Sequence, residues 1–111
     1  MSFFKRIPSG RRMNADFAVV LRDDSFSPCF KAGQTVYLQR TADLRDGDVG
    51  LFRARGGLVF RQFCQDIRGT VYLFSLDRSS KKDDLEFPPD GDMPICYGKA
   101  ILCRLPELPV E

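Results

Sequence analysis

Turn-forming residues cut this 111-residue chain into apolar pieces too short for helices, and that punctuation decides its fold class. Phe17 to Leu21 is apolar with β-branched residues, Gln34 to Gln39 alternates around Val36 and Leu38, and Val49 to Arg53 follows the turn Arg45-Asp46-Gly47-Asp48. Arg55-Gly56-Gly57 closes a hairpin onto Leu58 to Cys64, because glycine supplies the positive φ that tight loops need. Arg68-Gly69 turns into Thr70 to Leu76, and Ile95 to Leu102 is the last strand before Pro106 and Pro109. Between them, residues 78–92 carry Ser79, Ser80, Lys81, Lys82, Asp83, Asp84, Pro88, Pro89 and Gly91, the composition of a long exposed loop. No segment sustains a helical period and none repeats. The expected class is all-β, with short turns and little helix.

The length suits one domain with one core and no staples. The longest apolar run, Phe17 to Leu21, is five residues, far below membrane length, and the first residues lack the apolar stretch of a secretory signal. A soluble cytoplasmic protein is expected, with no membrane partner. The cysteines, Cys29, Cys64, Cys96 and Cys103, include no Cys-x-x-Cys pair, and the chain has no histidine. Core cysteines are expected in preference to disulfides, and neither a metal nor another cofactor is indicated. The missing histidine also excludes every Ser-His or Cys-His catalytic scheme.

Charge is unevenly placed. Residues 1–15 contain Lys5, Arg6, Arg11 and Arg12 and no acid; the remaining 13 basic and 15 acidic residues leave the body at −2. Such a body is a poor phosphate binder by itself. The first fifteen residues are read as a basic tail or linker, residues 16–105 as the domain, and residues 106–111 as a C-terminal tail.

Along the strand after the hairpin, alternation puts Val59, Arg61 and Phe63 on one face and Leu58, Phe60 and Cys64 on the other. Read from these neighbours alone, Arg61 is a strand arginine that either snorkels to the edge or meets a specific acceptor. Ser25, in Asp24-Ser25-Phe26-Ser27-Pro28, is by itself a turn or capping serine.

The order of the surrounding motifs adds a second reading. Asn14-Ala15-Asp16-Phe17 is followed by Ser25-x-x-Pro28, Gly33, Gly47-Asp48-Val49, Gly57-Leu58-Val59-Phe60-Arg61 and Tyr97-Gly98-Lys99-Ala100-Ile101. Across residues 14–103 this resembles the C-terminal domain of LexA, UmuD and the repressors of lambda-like prophages, a self-cleaving Ser/Lys peptidase family. The resemblance implies a LexA/signal-peptidase-like β-ribbon or partial-barrel fold. It places Ser25 at the nucleophile position, with Asp24, Phe26 and Pro28 in the supporting loop, and Arg61 where the family has its general-base lysine.

That substitution changes the chemistry. Burial in an apolar site lowers the pKa of a lysine and frees a lone pair to activate a hydroxyl. A guanidinium stays protonated to above about pH 12 and offers none. Other departures accompany it. The family's glycine before Asp-Ser is Asp23 here, its methionine is Phe26, and its first Gly-Asp pair is Gly33-Gln34. The family cleaves itself at a small-residue bond, commonly Ala-Gly, just upstream of the domain; residues 1–15 offer only Ser9-Gly10, and Ala32-Gly33 lies inside the body. Lys5, Lys31, Lys81, Lys82 and Lys99 all lack the strand-after-hairpin placement.

The resemblance therefore implies the regulatory and dimerisation domain of a LexA-like or prophage-type repressor that does not cleave itself, within an SOS-type response. A homodimer is implied. DNA is contacted only through a helix-turn-helix domain that this chain does not contain, and a recombinase filament is a further implied partner. The alternatives are an active serine peptidase using Ser25 with another base, and a stand-alone UmuD-like protein.

Overall fold

The computed structural model describes residues 4–6, 15–21, 30–41, 43–77, 83–102 and 108. Its strands are β1 (Phe4–Arg6), β2 (Phe17–Val20), β3 (Thr35–Gln39), β4 (Val49–Ala54), β5 (Gly57–Gln65), β6 (Val71–Phe74), β7 (Leu85–Phe87) and β8 (Ile95–Ala100). They form one antiparallel sheet in the order β1-β2-β3-β8-β4-β5-β6-β7. The all-β expectation holds. β8 arrives last in the chain but slots between β3 and β4, joining the two halves of the sheet.

The sheet buries opposite faces at its two ends. On one face, Phe17, Val19, Val36, Leu38, Val49, Leu51, Phe60 and Ala100 build a first core, closed by Leu21, Phe30 and Leu76. On the other, Phe52, Ala54, Phe63, Val71, Leu73 and Phe87 build a second, with Val59, Leu85, Cys96 and Leu44 against it. Strand alternation explains the division: odd residues of β4 enter the first core and even residues the second. β4 is consequently buried on both faces except at Arg53. An antiparallel strand with both faces covered reads as a nearly continuous apolar run, as Val49 to Phe52 does.

The recurring motifs turn out to carry structural duties. Asp16 accepts the Arg40 amide through Oδ2 at 2.7 Å and donates its own amide to the Leu38 carbonyl at 2.8 Å, fixing β2 on the end of β3. Gly98 leaves room for the neighbouring ring: a Cβ there would lie 2.6 Å from Cζ of Phe17. Gly47 has φ 96°, and Asp48 accepts the Arg45 amide at 2.8 Å, so the Gly-Asp pair makes the turn into β4.

Two stretches differ in detail from the strand reading. Residues 78–92, expected as one long loop, contain β7, in which Leu85 and Phe87 alternate around Glu86 and reach the second core. Phe4–Arg6, within the basic first fifteen residues, pairs with β2 in the register Phe4↔Val19 to Arg6↔Phe17.

Candidate functional site

The described residues on either side of the Ser25 segment are pinned to one another. Leu21 donates its amide to the Gln34 carbonyl at 3.0 Å, and Gly33 donates back to the Leu21 carbonyl at 2.7 Å. Ser25 and its neighbours Asp23, Asp24, Phe26 and Pro28 lie outside the described residues. The described residues that flank this segment, Leu21 and Phe30, both pack in the first core. There the Phe30 ring meets the Phe60 ring at 5.4 Å, one residue before Arg61 in β5.

Arg61 itself sits on the other face of the sheet. It is registered opposite Gly50 of β4, and Gly50 is in turn registered opposite Lys99 of β8. Directly opposed residues point the same way, so Lys99, Gly50 and Arg61 form a cross-strand row with a glycine at its centre. The space a side chain at Gly50 would need is already taken: a Cβ there would lie 2.8 Å from the Gly98 carbonyl oxygen and 3.3 Å from the Phe52 ring.

The Arg61 guanidinium is half-buried. Its Nη1 donates to the Phe60 carbonyl at 3.1 Å, while its Nε is buried with no hydrogen-bond partner among the described residues. Leaving such a donor unmatched costs roughly 1–3 kcal/mol. Burial pushes the guanidinium below its usual range, and Asp83 and Asp84 counteract that by favouring the charged form. An arginine shifted down from so high a starting value is still a cation at neutral pH, and therefore cannot accept a proton from a serine.

Lys99 is the other cation of the row, and it is committed elsewhere. Its Nζ lies 3.7 Å from Oδ2 of Asp48, a nearly buried carboxylate that also accepts the Arg45 amide. Lys31 is exposed at the turn before β3, where its carbonyl accepts the Gln34 amide at 3.1 Å. Lys81 and Lys82 lie outside the described residues.

Sequence reasoning did not find the Asp48–Lys99 pair, the glycine between the two cations, or the Asp83–Asp84 field at Arg61. Asp48 did carry a signal, since a Gly-Asp turn entering a strand presents its carboxylate to the strand's neighbours. The remainder depends on β8 lying beside β4, which local pattern does not report.

Cys64 and Cys96 are free thiols, half-buried on β5 and β8; Cys29 and Cys103 lie outside the described residues. Burial pushes both thiols above their ordinary value of 9.0, and Asp46 adds to the effect at Cys64. Both should therefore alkylate more slowly at pH 8 than the same residues in the denatured chain, measured by mass spectrometry after iodoacetamide treatment. The linkage follows in sign. A raised folded-state pKa contributes stability that is complete below the unfolded value and is lost as pH rises through the folded one. Denaturant midpoints should thus fall above about pH 9 through these two groups.

An antiparallel sheet with these turns, the Asp-Phe entry and the strand after the hairpin define a LexA/UmuD-like β domain. The chain belongs to the Peptidase S24-like family, whose model matches residues 3–101. No curated protein matches it. No helix among the described residues is long and apolar enough to cross a membrane.

Proposed function

We propose that this is the regulatory and dimerisation domain of a LexA-like or prophage-type transcriptional repressor, one that keeps the peptidase fold without cleaving itself. The observation that carries this reading is Arg61, a half-buried permanent cation on the strand after the hairpin, where the family places its proton-accepting lysine. Ser25 holds the nucleophile position by motif order, in the loop with Asp24, Phe26 and Pro28. Lys99, in the same cross-strand row as Arg61, is paired with Asp48, which supports this reading. The domain then acts by pairing two chains, with DNA read by a helix-turn-helix domain outside this chain and a recombinase filament as the further partner.

Family membership favours a second reading, an active serine peptidase in which Ser25 uses another base. The two are separated by incubating the chain at neutral and alkaline pH, with and without activated recombinase filaments, and following its intact mass. The expected result is an uncleaved chain under every condition. Fragments that disappear in Ser25→Ala would overturn the non-cleaving reading and establish the peptidase.

A further inference from the structure

Three of the four large apolar residues exposed among the described residues gather at one end of the sheet: Leu58 at 42%, Met93 at 39% and Ile95 at 57%. Register makes a row of two of them, since Arg53 of β4 is opposite Leu58 of β5 on one side and Ile95 of β8 on the other. The row ends at an uncovered edge. β3 pairs only with Lys99 and Ala100 of β8, so no described strand lies beside Ile95 on that side. A cavity of about 410 Å³ opens beside the row, lined by Met93 and Ile95 and by both signs of charge, Arg53 and Arg55 with Glu86 and Asp92.

An apolar row at an unprotected strand edge is a template for another chain. The charge identifies which. Two arginines balanced by two acids make a poor phosphate site, but such a surface is self-complementary: a two-fold axis sets the acids of one copy opposite the arginines of the other. Arg53 and Asp92 are both exposed.

We infer that the end of the sheet formed by Leu58, Arg53, Ile95 and Met93 is the two-fold contact between two copies of this chain, with Arg53 of each copy facing Asp92 of the other. This rests on the dimer in the proposed function and names its surface. Sedimentation velocity over a concentration series tests it. Ile95→Asp and Leu58→Asp, both at exposed positions, should each raise the dimer Kd at least tenfold, with the fold checked by circular dichroism. Ile67→Asp, at a fully exposed residue in the turn between β5 and β6, should leave it unchanged. Arg53→Glu and Asp92→Arg should each weaken the homodimer, and an equimolar mixture of the two should recover association. A dimer insensitive to all four substitutions overturns this surface and leaves the dimer itself standing. A chain that stays monomeric throughout overturns both, whether or not the same face then captures a recombinase filament.

Discussion

Replacing Arg61 by lysine should make Ser25 reactive. The readout is covalent labelling by a fluorophosphonate, which needs an activated serine and no cleavable peptide bond, so the absence of an Ala-Gly bond from residues 1–15 does not obscure it. A lysine starts near pKa 10.4, and burial lowers it, to about 5–6 in extreme cases. The desolvation that already pushes Arg61 down would act on the introduced lysine from a starting point about two units lower. Asp83 and Asp84 would hold part of that shift back, so labelling should climb with pH as the ammonium deprotonates. Positioned proton transfer contributes about 10²–10⁴-fold, and that is the expected gain over the arginine chain. The gain should vanish in the double variant carrying Ser25→Ala. If Arg61→Lys keeps the fold and labels no faster, the proposal that Arg61 alone withholds a base from Ser25 is overturned.

The same substitution clarifies why an arginine at this place is informative. A surface arginine satisfies its donors with water, whereas Arg61 has a buried Nε with no partner among the described residues. Alternation along Leu58 to Cys64 was enough to put Arg61 on the face of Val59 and Phe63, which is where it lies. Its electrostatic surroundings were not legible, because Asp83 and Asp84 reach it from the segment before β7. That segment looked like pure loop: Leu85 and Phe87 are framed by Asp84 and Pro88, and turn residues masked a strand of three.

The other half of the site was hidden by topology. Lys99 and Asp48 belong to separate motifs, and nothing local says that β8 enters the sheet between β3 and β4. By contrast, the motifs that carried the family resemblance are explained by folding physics. Phe17 needs the bare backbone of Gly98, Asp16 ties β2 to β3, and Gly47-Asp48 turns the chain into β4. The sheet uses these residues whatever the chemistry of the site. A retained fold is therefore weak evidence for retained catalysis.

Phe52→Ala should be the most damaging single substitution in the body. Phe52 is 1% exposed and lies in the second core, its ring stacked on that of Phe63 at 6.4 Å between centroids and 15° between planes. Its cross-strand neighbours are Val59 on β5 and Cys96 on β8, so truncation opens a cavity where three strands meet. β4 is held on both sides and is poorly placed to collapse into the gap. Deleting a phenyl group from such a core costs about 3–5 kcal/mol. For a domain of this size that lowers Tm by more than about 12 °C, measurable by differential scanning calorimetry or circular dichroism. Phe52→Leu, which keeps most of the volume, should lose less than half as much. A second consequence connects the core to the site. The Phe52 ring fills the space beside Gly50, between Lys99 and Arg61, so its removal frees the backbone that holds those two cations in register. In an Arg61→Lys background, Phe52→Ala should therefore depress Ser25 labelling even at temperatures where the domain remains folded. Unchanged labelling there would show that the row around Gly50 does not position the residue at 61.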